Sequence, residues 1–165
     1  MIKALIELGR SAGHKVEKVD NVVTDIVSGR AVTLKKNALT GEVNIVPANG
    51  AEAGFIYGFA ADDTKAFRYN GMYDQIDGNY KFGLVAAFLF GGHYLVWDDS
   101  RGPVFEFDGE GSVLNAEIGT KLYIDAEGKL TVKAGNEGTM GAECVGYVLT
   151  APATQNDALE FKAIK

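Results

Sequence analysis

The sequence predicts a mainly β fold, a small β-barrel or sandwich with long loops, on three observations. Short apolar stretches alternate with polar residues, 21 glycines are scattered between them, and no segment after residue 10 shows a capped, helix-length apolar pattern. Glycine spread this way marks many turns rather than a linker or a collagen-type repeat. At 165 residues the chain suits one domain, or two small β lobes sharing a core, that folds without covalent staples.

Along the chain, Ile2, Leu5, Ile6 and Leu8 fit two helical turns ending at Gly9, or an arm without fixed structure. Residues 1–25 therefore read as an N-terminal arm or short helix, and 26–165 as a single β domain. Residues 30–35 alternate as a half-buried strand, 37–41 carry turn chemistry, and 42–46 read as the return strand of a hairpin. Residues 54–60 read as a further strand, in which Gly58 marks a bulge or a close backbone approach. Asp62-Asp63, Asn70-Gly71 and Asp77-Gly78 make residues 61–79 loop-rich. Residues 80–90 and 94–97 read as strands joined in a tight hairpin by Gly91-Gly92. Residues 62–110, with Tyr69, Tyr73, Tyr80 and Trp97, read as an aromatic-rich insertion or lobe. Phe105 and Phe107 alternate with acids, which suggests an exposed strand face beside a buried one. The clearest local pattern is strand, turn and strand over 121–132, followed by strands at 144–149 and 159–164.

The chain also carries an internal echo. Residues 41–45 (GEVNI) leading to Tyr57-Gly58-Phe59 match 128–132 (GKLTV) leading to Val145-Gly146-Tyr147. Gly41 and Gly128 lie 87 residues apart, Gly58 and Gly146 88. Two related hairpin-plus-strand units would give this spacing, and so would turn grammar shared by unrelated hairpins.

Composition narrows the function classes. A formal net charge of −6 opposes a primary role in gripping phosphate backbones, which requires clustered Lys and Arg, so no nucleic-acid partner is expected. The longest apolar run, residues 84–90, is too short for a membrane-spanning helix, and Lys3, Glu7 and Arg10 interrupt any secretion-signal pattern. The single cysteine, Cys144, beside Val145, reads as a buried small hydrophobe without a disulfide partner in the chain.

Each candidate chemistry has a simpler reading. Residues 106–117 place Glu106, Asp108, Glu110 and Glu117 at calcium-loop positions with Gly111 at the sixth. The long Glu side chains at positions one and five and the β-like flanks favour an acidic surface hairpin. His14 and His93 lack zinc-ligand spacing and read as surface or turn residues. Ser28, Ser100 and Ser112 lie outside any nucleophile elbow. Asp98 and Asp99 beside Trp97 could be nominated as a glycosidase pair, and Trp97 with Tyr94 as a sugar platform, but adjacent strand residues point to opposite faces. The expectation is a protein without an enzymatic task, with no catalytic, cofactor-binding or metal-binding residue assigned.

Residues 119–132 (GTKLYIDAEGKLTV), 144–149 (CVGYVL) and 157–162 (DALEFK) resemble small β-rich capsid decoration proteins, also called cement proteins, of tailed phages. Residues 27–32 (VSGRAV) and 55–61 (FIYGFAA) resemble the earlier part of the same layout. The resemblance covers about half the chain and leaves 62–110 unmatched. It implies a structural protein made in the host cytoplasm and carried on the capsid exterior, where it binds the major capsid protein and bridges its subunits. It also implies a homo-oligomer, with a trimer favoured. On this reading residues 1–25 would be an arm that docks on a neighbouring subunit, and its deletion would leave the melting temperature nearly unchanged. Two other functions fit the same residues: a tail-tube or head-fibre β module, and a carbohydrate-binding β domain.

Overall fold

The computed structural model describes residues 1–6, 9, 11, 13–16, 18–19, 22–61, 64, 67–69, 72–74, 84–89, 91–98 and 102–164. Expectations placed on Leu8, Asp62-Asp63, Asn70-Gly71, Asp77-Gly78, Tyr80, Asp99 and Ser100 lie outside those residues.

The strands run β1 (Ile2–Ile6), β2 (His14–Lys15), β3 (Lys18–Val19), β4 (Val22–Val23), β5 (Ala31–Lys36), β6 (Val43–Pro47), β7 (Gly58–Ala60) and β8 (Phe67–Tyr69). They continue with β9 (Met72–Asp74), β10 (Leu84–Val85), β11 (Ala87–Phe88), β12 (His93–Val96), β13 (Lys121–Ile124), β14 (Leu130–Thr131), β15 (Gly146–Thr150) and β16 (Leu159–Ala163). Two antiparallel sheets dominate, of order β11-β7-β5-β6 and β1-β12-β16-β15-β13-β14, with small two-stranded pairs β2–β10, β3–β4 and β8–β9 beside them. The fold is mainly β and sandwich-like, and it does not close into a barrel.

Aromatic side chains from both sheets meet in the core. Phe59 of β7 and Phe88 of β11 pack against Tyr94 of β12 and Phe161 of β16. Phe59–Phe161 centroids lie 5.3 Å apart in an edge-to-face arrangement, Tyr94–Phe161 5.7 Å and Phe88–Tyr94 5.4 Å apart. Such pairs add to the stabilisation that comes from burying large apolar surface. The buried Tyr94 hydroxyl is satisfied by donating to the Leu89 carbonyl at 2.7 Å.

The two units echoed in the sequence share a topology. In the first, the β5–β6 hairpin is followed by β7, which pairs with β5, and β11 then pairs with β7. In the second, the β13–β14 hairpin is followed by β15, which pairs with β13, and β16 pairs with β15. Gly58 pairs with Val32 and Gly146 with Leu122. A Cβ at Gly58 would strike the Phe88 carbonyl of the fourth strand, and one at Gly146 the Lys162 carbonyl. Both positions thus need glycine for one reason, the close passage of a neighbouring backbone.

Two sequence expectations are corrected here. Residues 2–6 form a strand, not a short helix: β1 pairs antiparallel with β12, Ile2 opposite Val96, and Ile2 is buried in the core. The Met1 amine also donates to the Trp97 carbonyl at 2.8 Å, so this segment is tied to the body. Second, Gly91-Gly92 does not join a hairpin. Strand β11 lies in the four-stranded sheet and β12 in the six-stranded one, so the chain changes sheets there. Gly92 serves another purpose, since a Cβ there would collide with the Tyr94 hydroxyl.

Candidate functional site

Charged side chains converge where the second hairpin turn meets residues 104–106. The Phe105–Leu130 bridge is parallel, with Glu106 N–H donating to Leu130 O at 2.8 Å and Leu130 N–H to Val104 O at 2.9 Å. This register sets Glu106 beside the turn. Asp125 opens the turn, its Oδ1 accepting from the N–H groups of Glu127 at 2.9 Å and Lys129 at 2.8 Å. The Lys129 ammonium contacts Glu106 Oε1 and lies 3.1 Å from Asp125 Oδ2 and 3.7 Å from Glu127 Oε2.

Carboxylate oxygens of Glu106, Asp125 and Glu127 lie within 4.8 Å of one another, the spacing of a metal-ligand set, but Lys129 already sets a cation among them. Asp125 Oδ2 is buried and ion-paired with Lys129 without a hydrogen-bond donor while both carboxyls are ionised. A proton on Glu106 would supply that donor. Hydrogen bonding to Asp125, aided by burial, accordingly raises the Glu106 pKa above its ordinary value against the opposing pull of Lys129. Burial pushes Asp125 upward, but hydrogen bonding with Glu106 and from the Lys129 backbone, together with the pull of the nearby Lys129 ammonium, outweighs it and holds Asp125 below the usual range. Burial likewise opposes the charge on Lys129, and the two carboxylates override it and raise its pKa.

The acids of the calcium-like loop diverge. Glu106 turns toward Lys129, Asp108 and Glu117 are exposed, and Glu110 pairs with Lys133 at 2.8 Å. A 3-10 turn at Gly109–Gly111 and the bond from Val113 N–H to Glu106 O at 2.9 Å close the segment, with Val113 in the core. Phe105 is fully buried and makes a single bridge, where the alternation had suggested a strand.

The remaining candidates are dispersed. His14 Nε2 lies 3.0 Å from the Tyr57 hydroxyl, and His93 Nε2 2.7 Å from Glu160 Oε1. Both histidines lie in strands, not turns. The Thr150 hydroxyl donates to Glu160 Oε2 at 2.7 Å and is the main reason that the Glu160 pKa is lowered; burial opposes this and His93 adds to it. The Ser28 hydroxyl donates to Ala61 O at 3.3 Å, and Ser112 Oγ accepts from Leu114 N–H at 3.2 Å, so neither contacts a histidine through these bonds. Asp98 Oδ1 accepts from Val104 N–H at 2.8 Å. Tyr94 is fully buried, which removes it from a sugar platform with half-buried Trp97. Cys144 is only half-buried, its thiol donating to Gly146 O at 3.3 Å, while neighbouring Val145 takes the core position. Tyr69 and Tyr73 fall in β8 and β9, strands of one small hairpin.

Two surface features escaped the sequence reading. An open groove of about 590 Å³ lies between the first hairpin and the second hairpin's turn, lined by Leu34, Val46, Pro47, Phe55, Glu127 and Met140 among others, with Phe55 half exposed. The second is the tip of the β5–β6 hairpin, where Leu39 is 96% exposed and Val43 49%. Asn37 and Gly41 had signalled the turn, but nothing in the local pattern showed that its leucine is uncovered.

Among the described residues, no helix is long and apolar enough to cross a membrane. No family model, curated protein or solved structure matches this chain.

Proposed function

We propose that this protein is a structural virion component that binds the outer surface of an assembled phage capsid and stabilises it by bridging capsid subunits. The observation that carries this reading is the C-terminal resemblance. Residues 119–132, 144–149 and 157–162 resemble the decoration-protein pattern, and in this chain they contain the strands β13, β14, β15 and β16. An acidic surface suits the outside of a shell better than its DNA-lined interior. Many copies on a repeating lattice turn weak single contacts into a stable coat.

The test is co-sedimentation of the purified protein with capsids of its source phage stripped of this component. Saturable binding at a fixed ratio to the major capsid protein is expected. Absence of binding, with rings or fibres formed by the protein alone, would move the assignment to a tail or fibre module.

A further inference from the structure

We draw no further inference here: the strongest candidate, the open groove between the β5–β6 hairpin and the turn of the second hairpin, lined by Val46, Pro47, half-exposed Phe55 and Met140, is an unpartnered apolar surface, and nothing in the structure shows what covers it.

Discussion

The two four-strand units make the most informative comparison in the molecule. They agree in strand order, in the pairing of the third strand with the first, and in a glycine at the third strand where the fourth strand's carbonyl passes close. They differ at their hairpin turns and in what is added to the sheet. The second turn folds back on the first unit, holding Ala31 and Gly50 through backbone bonds of 2.8 and 2.9 Å, and its sheet gains β12 and β1. The first hairpin is longer and ends in solvent. The shared features position the core, and the divergent ones leave one turn internal and the other available for contact.

Core substitutions give the largest expected effect. Phe161→Ala and Phe59→Ala remove opposite halves of the inter-sheet contact, and each should cost about 3–5 kcal/mol in denaturant unfolding. One cooperative transition is expected in both, because the units share a core. Two separate transitions would break the picture of one sandwich and make the units independent lobes.

Matched glycine substitutions sharpen the comparison. Gly58→Ala and Gly146→Ala each force a methyl against a strand carbonyl and should destabilise by about 1–3 kcal/mol. Thermal melts that showed one substitution harmless and the other severe would mean that the equivalence is topological only.

How much of this was legible in the sequence follows from the range of the interactions. Alternation and turn residues marked β5, β6, β13, β14 and β15 within a residue or two, because hairpin pairing is decided locally. The sheet change at Gly91-Gly92 was not visible, since alternation marks a strand without saying which sheet receives it. The same limit applied to residues 2–6. Ile2, Leu5 and Ile6 fit a helix as well as a strand, and the choice is made by β12 about 90 residues away. Glu106 and Asp125 meet through a parallel bridge between segments that no spacing rule connects.

The acid–lysine cluster at the second turn predicts a smaller and pH-dependent effect. Lys129→Met should cost roughly 1–2 kcal/mol at neutral pH, between the values for exposed and for fully buried pairs. In the wild type the depressed Asp125 contributes stability above its unfolded pKa of about 3.9, lost as pH falls through the folded value. Glu106, raised, contributes in the opposite sense, its share present at low pH and lost as pH rises through its folded value. Without the ammonium both carboxyls favour protonation in the folded state, so the variant's deficit should shrink on acidification through the carboxylate range. Urea titrations at several pH values would show this, and a deficit constant with pH would remove Lys129 from the account.

The most direct test of the whole account is an electron cryomicroscopy reconstruction of stripped capsids reconstituted with the purified protein. The capsid reading predicts sandwich-shaped density at regular positions on the outer face. Shells without added outer density at saturating protein would contradict the capsid assignment.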